Sequence, residues 1–301
     1  RKGDNMVELH CHLDGSLRLS TLEEFLRQKN YPIPEDIRFY PGMGIHEALS
    51  RFQITLSVLQ EPDAVERVTR EICEDARKIR ISHTEIRFAP QLHHGAPVEE
   101  IVDAAISGLD DNANLILCGL YGESPSVLNG LVEIARTRPR VVGIDLAGAP
   151  HDDHEYSLFD YTEPFTRARD LGIGRTVHAA EGRSPKEIDI AINFLHAQRI
   201  GHGLTLLNDW KTRDLIFERD ITIEACITSN WHTGVINQPS DHPIKEWLND
   251  GIKVAICADN TLLSDTLLTR ELIIANRHCG LTYRDINQCK VNAQQAIFQR
   301  R

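Results

Sequence analysis

The sequence predicts an α/β chain folded as a (β/α)8 barrel of the TIM type, and three observations carry that expectation. Short β-rich runs alternate with helical patterns from end to end, eight such runs can be marked, and several of them end in a side chain able to ligate a metal. No Gly-x-Gly-x-x-Gly follows the first run, so an open dinucleotide-binding sheet has no signal of its own. At 301 residues, 41% of them hydrophobic, the chain reads as one domain spanning 1–301. A barrel of this kind takes about 250 residues and tolerates insertions.

The expected strands, in order, are Met6–His10, Thr84–Phe88, Leu115–Tyr121, Val141–Leu146, Arg175–His178, Arg199–Gly201, Thr222–Cys226 and Lys253–Cys257. Between them lie segments with apolar residues at three- and four-residue steps, such as Ala64–Lys78 and Pro97–Asp110. The interval from the first strand to the second is too long for a single helix. Residues from about Leu17 to Arg80 therefore hold two or three helices beyond the standard count, with Tyr40-Pro41-Gly42-Met43-Gly44 as a mobile turn among them. An insertion after strand one sits over the barrel mouth, where it is either a lid or a packing appendage.

The first strand ends in His10-Cys11-His12. Side chains on a strand repeat with period 2, so His10 and His12 leave the same face and can share one metal ion. Three later segments offer the missing ligands: Thr176–Glu181, Arg199–Gly203 and Ile256–Asn260. His178, His202 and Asp259 follow one another at 24 and 57 residues, close to one and two strand-plus-helix units. Strand ends of a closed barrel converge on one mouth, so four separated segments point to one place.

Composition excludes some partners. With 44 Asp and Glu against 33 Lys and Arg the net charge is −11, which argues against nucleic acid or an anionic membrane. No apolar run approaches the ~20 residues of a membrane span, and Arg1–Met6 shows no signal-peptide pattern. The seven cysteines are scattered and odd in number, with no Cys-x-x-Cys pair, as expected for reduced thiols in the cytoplasm.

In their order along the chain the motifs resemble the adenosine deaminase family of the amidohydrolase superfamily. The likeness runs from His10-x-His12-Leu-Asp14-Gly-Ser-Leu through Glu85-Ile-Arg87-Phe-Ala-Pro and Gly143-Ile-Asp145-Leu-Ala-Gly148. It continues through His178-Ala-Ala-Glu181, Arg199-Ile-Gly-His202-Gly, Thr228-Ser-Asn230 and Ala258-Asp259-Asn260. The resemblance implies one Zn2+ per chain held by His10, His12, His178 and Asp259, with a water completing the site. It implies Glu181 as the acid facing ring N1 of a purine nucleoside, His202 as the group that orients the attacking water, and Asp259 as an acceptor for that water. It also implies substrate contacts from Asp14 to a ribose hydroxyl, from the Gly148 N–H to the purine and from Asn260 to ring N7, with His12 beside them.

The chemistry asks for the same residue types, since hydrolytic deamination needs an activated water, which bound zinc supplies by lowering its pKa toward ~7, and a proton for the ring. The implied reaction is adenosine or 2′-deoxyadenosine to the inosine product plus ammonia. Adenine, an N6-substituted purine nucleoside or an aminodeoxyfutalosine-like nucleoside are the alternatives, and a silent nucleoside-binding relative is the reading from another class. The chain carries Ala180 where the family commonly has Gly, and Asn260 where many members have Asp. The histidines at 46, 83, 93, 94, 151, 154, 196, 232, 242 and 278 read as solvated or packing residues.

Overall fold

A computed structural model describes residues 5–300; residues 1–4 and 301 lie outside it, and with them most of the Arg1–Met6 segment. Eight strands follow in order: β1 (Met6–His12), β2 (Ile81–Phe88), β3 (Ala113–Leu120), β4 (Val141–Ala147), β5 (Gly174–Ala179), β6 (Arg199–His202), β7 (Thr222–Ala225) and β8 (Lys253–Ile256). All pair in parallel with their sequence neighbours, in the order β1 to β8. Every expected strand is present, its ends displaced by at most three residues. Apolar runs such as Val141–Ala147 are buried along their whole length, as strands covered on both faces must be.

The helices are α1 (Leu19–Gln28), α2 (Ile45–Ser57), α3 (Pro62–Lys78), α4 (Val98–Gly108), α5 (Pro125–Arg136) and α6 (Thr162–Asp170). They continue with α7 (Lys186–Asn193), α8 (Trp210–Glu218), α9 (Ile227–His232), α10 (Ile244–Asn249), α11 (Leu268–His278) and α12 (Tyr283–Ala296). Helix α3 is the regular crossover to β2. Its Pro62 opens the first turn, where a missing N–H costs nothing, and Val65, Val68 and Ile72 bury one face.

The long interval after β1 therefore holds two extra helices, and they go to different places. Helix α1 is an appendage on α3, tied by Arg67 to Glu24 at 2.6 Å, Thr21 to Glu71 at 2.6 Å and the adjoining Arg18 to Asp75 at 2.8 Å. Helix α2 instead lies over the barrel mouth, with Ile45, Ala48, Leu49, Phe52 and Leu56 facing the central cavity. Helix α2 stands where a lid would, and α1 is a packing appendage.

The barrel closes between β8 and β1 without a full ladder. His12 N–H donates to Asp259 O and Asp259 N–H to His10 O, both at 2.9 Å. The Glu8 carboxylate bridges the same seam by accepting from His10 N at 2.9 Å and Ala258 N at 3.0 Å. At the opposite end of the barrel Phe298 seals the floor. Its N–H donates to Glu85 at 2.8 Å and its ring covers the Arg199 guanidinium at 3.7 Å.

That plug requires glycine beneath it. A Cβ at Gly174 would lie 2.3 Å from the Phe298 ring, so Gly174→Ala must push the ring off Arg199. The expected cost is about 1–3 kcal/mol, seen in calorimetry as a Tm lower by roughly 2–10 °C. In a Phe298→Ala background the same substitution should cost almost nothing further. Equal losses in both backgrounds would show that Phe298 is not the obstacle.

Candidate active site

The C-terminal strand ends surround a cavity of about 340 Å³ roofed by α2. His10 and His12 leave β1, His178 leaves β5, His202 ends β6, and Asp259 follows β8. The Nε2 atoms of His10 and His12 are 3.2 Å apart, and Asp259 Oδ1 lies 3.0 Å from the first and 3.2 Å from the second. His178 places a ring nitrogen within 4.8 Å of those of His10 and His12.

Three strand-end residues reach this arrangement through left-handed backbone: Ala180 at φ 53°, His202 at φ 71° and Asp259 at φ 66°. Such conformations cost of order 1–3 kcal/mol each and persist where the surroundings dictate them. At Ala180 this explains why glycine suits the position. Its methyl is accommodated in full burial, and its N–H is held by Glu187 at 2.8 Å.

The outer nitrogens are tied from behind. His10 Nδ1 meets Glu224 Oε1 at 2.9 Å and His178 Nδ1 meets Asp145 at 3.1 Å, so each ring gives its N–H outward and turns the Nε2 lone pair to the centre. Glu224 also accepts from Arg199 at 2.8 Å, Arg87 at 3.1 Å and Thr176 at 3.1 Å, while Asp145 accepts from Arg87 at 3.0 Å. Arg199 reaches Glu85 at 2.6 Å. All these charged side chains are buried.

Burial alone would push Glu224 and Asp259 up. The Arg87 and Arg199 cations hold Glu224 well below the usual carboxylate range, and His10 with His12 does the same for Asp259. His10 is opposed by burial and by Arg87, yet Asp259 and Glu224 carry it up to about 9, so a proton competes with a cation for its Nε2 lone pair. The centre thus draws positive charge to itself.

The residues fit a divalent cation. Lone pairs of neighbouring imidazoles and a carboxylate converge within 3.0–3.2 Å, and Asp259 Oδ1 is buried with no hydrogen-bond donor. Three imidazole nitrogens and one carboxylate oxygen suit zinc. A second group, His10, His202, Cys226 and Asp259, is also close enough to share an ion. Burial holds the Cys226 thiol well above its usual range and so protonated, a poor ligand beside neutral imidazole.

Glu181 lines the cavity, buried, with its carboxyl oxygen 3.7 Å from His202 Nε2. Burial raises it to about 7, and burial lowers His178 to about 4 and His202 to about 3. Asp14, Gly148 and Asn260 line the same cavity. Gly148 has φ 81°, and a Cβ there would meet nothing within 4 Å, so its backbone is open to the space. Asn260 is seated on Gly15, where any Cβ would come within 1.9 Å of its side-chain oxygen.

Two of the histidines read from the sequence as solvated or packing residues, His151 exposed and His154 half-buried, also border the cavity. His151 and His154, on the loop after β4, line the cavity mouth, and His46 at the start of α2 stacks on His151 with ring centroids 4.7 Å apart. Sequence reasoning gave no role to Glu85, Arg87, Asp145, Arg199 or Glu224. The signal for them was a charged residue inside a run otherwise fit for a buried strand.

The Asp145 carboxylate orients His178, so Asp145→Asn keeps an acceptor but loses the charge. It is expected to weaken divalent-metal affinity about 10–100-fold, read by competition with a chelator. Unchanged affinity would mean that Asp145 does not set His178.

The family model described as Adenosine deaminase matches residues 6–300. A Clostridium botulinum protein named adenosine deaminase is 35% identical over 314 residues, covering 97% of this chain and 92% of the relative. The N6-methyl-AMP deaminase of Arabidopsis thaliana superposes with a TM-score of 0.85 at 26% identity, over 99% of this chain and 93% of that one. A zinc-bound amidohydrolase from Burkholderia ambifaria gives a TM-score of 0.85 at 22% identity, over 98% of this chain and 85% of that one, a likeness of fold. The sequence match over nearly its whole length and the strand-end centre together make this chain a member of the adenosine deaminase family.

Proposed function

We propose that the chain is a zinc-dependent aminohydrolase that converts adenosine or 2′-deoxyadenosine to the inosine product with release of ammonia. The observation that carries this reading is the convergence of His10, His12, His178 and Asp259 beside Glu181 and His202 on one cavity. The named relatives support it. His10, His12, His178 and Asp259 would hold one zinc ion, which when bound supplies a Lewis acid that lowers the pKa of water toward ~7.

The chain's own residues do the rest. Glu181, kept protonated near neutrality by burial, gives its proton to ring N1 as the water oxygen bonds to C6. His202 orients that water and steadies the charge growing on its oxygen. Asp259 accepts a proton from the water and passes it to N6, the C6–N6 bond breaks, and ammonia leaves. The water's second proton returns to Glu181, so the acid is restored and the product keeps its N1–H. Asp14 takes a ribose hydroxyl, the Gly148 N–H meets the purine, Asn260 faces N7, and His12 borders the substrate as well as the metal.

One domain spanning 1–301 carries the activity in this reading. All seven cysteines are free and buried, which supports the cytoplasm as its compartment. Among the described residues no helix is long and apolar enough to cross a membrane.

Ammonia release from adenosine, 2′-deoxyadenosine, adenine, N6-methyladenosine, an aminodeoxyfutalosine-like nucleoside and AMP, ranked by kcat/KM, tests the substrate. A higher rank for any of the last four replaces the nucleoside assignment with that compound. Elemental analysis of the purified protein is expected to find close to one zinc per chain, and metal-free protein of full activity would overturn the scheme. Glu181→Gln should keep the zinc while kcat falls about 10²–10⁴-fold, because an amide of the same shape has no proton to give. A loss below tenfold would remove Glu181 from the acid role.

A further inference from the structure

Asn230 has no part in the scheme above, yet it touches one of its members. It lies fully buried on α9, and its side-chain Nδ2 is 3.0 Å from Nδ1 of His202. The other ring nitrogen, Nε2, faces the reaction centre, 3.7 Å from Glu181 Oε1 and 3.9 Å from Asp259 Oδ2. A neutral imidazole carries one N–H and one lone pair, so whichever nitrogen faces Asn230 decides what the other offers to the substrate.

Resting on the deaminase reading, we propose that Asn230 is a positioning residue that holds His202 in the tautomer protonated at Nε2, so that His202 presents an N–H and no lone pair to the attacking oxygen.

Three observations agree on this. The Asn230 side-chain oxygen is buried without a partner. With the amide nitrogen toward His202, the carbonyl and one N–H are left unpaired; with the amide reversed, both N–H donors would be, and an orphaned buried N–H is the rarer fault. The second observation is the Asp259 carboxylate oxygen 3.9 Å in front of Nε2, which welcomes a donor and repels a lone pair. The third is burial itself: the His202 ring is 2% exposed, so water does not compete with Asn230 for Nδ1. Gly203 N–H donates to Ala179 O at 3.0 Å and so fixes the strand end that carries His202.

The consequence is a division of labour. His202 has no lone pair with which to accept the water's proton, so it serves as a donor to the developing oxyanion, and the carboxylate of Asp259 takes the proton. A carboxylate at position 230 would invert this, since it can only accept and would demand Nδ1–H.

Nitrogen-15 NMR of the histidine rings in the metal-loaded protein tests the tautomer without any substrate, with His202→Gln used to assign the signals. Nε2 of His202 is expected to appear as the protonated nitrogen and Nδ1 as the one bearing the lone pair. The opposite pattern overturns the proposal and leaves the substrate reading untouched, just as failure of the substrate panel leaves the tautomer untouched. In Asn230→Asp the two signals should exchange, with metal content unchanged, kcat down about 10²–10³-fold and KM within about threefold. Retention of the Nε2–H signal together with full kcat would overturn it. If Asn230→Asp does not fold, Asn230→Ala replaces it: loss of the amide donor should shift or weaken the Nε2–H signal, and an unchanged signal overturns the proposal.

Discussion

At the barrel axis a single carboxylate, Glu224, accepts from His10, Arg87, Arg199 and Thr176, which come from β1, β2, β6 and β5. It cannot be exchanged for a neutral group without orphaning buried partners on four of the eight strands. The surrounding floor contains three carboxylates, Glu85, Asp145 and Glu224, against two guanidiniums, Arg87 and Arg199. The floor therefore holds one carboxylate more than it has guanidiniums, and Asp259 adds another at the mouth, an excess of negative charge that suits a divalent cation. Apolar side chains of the same volume would often make an equally stable core, so the network is better understood as an electrostatic seat than as a source of stability.

That floor was the part of the molecule hardest to see in the sequence. Strand order and the His-x-His, His178, His202 and Asp259 ends were legible because periodicity and spacing are local properties. Which charge faces which is not local: Arg87 meets Glu224 across 137 residues and Arg199 meets Glu85 across 114. A charged residue in a buried strand announces that a partner exists and says nothing of where it is. His151 and His154 were hidden for a different reason. A loop's path over the barrel mouth depends on the neighbouring loops, and no pattern within His151-Asp152-Asp153-His154 says that His46 stacks on it.

The insertion after β1 shows the same limit in another form. Its length required extra helices, and both are amphipathic, but amphipathicity alone does not say which surface receives the apolar face. Helix α1 found α3 through ion pairs, and α2 found the open mouth through Ile45, Leu49 and Phe52. The roof of the cavity is thus apolar and its base is charged. That contrast suits a ligand with a flat ring on one side and a polar, reacting edge on the other.

The seam between the first and last strands has a consequence for how the protein is made. Its bonds are formed by Glu8, His10, His12, Ala258 and Asp259, so closing the barrel brings together three of the four proposed metal ligands in one event. At ordinary translation speeds the ribosome needs roughly 10–50 s to pass from His10 to Asp259. During that interval the two histidines exist without the carboxylate that completes their set. In the proposed metal site, the full ligand set consequently exists only after the synthesis of β8.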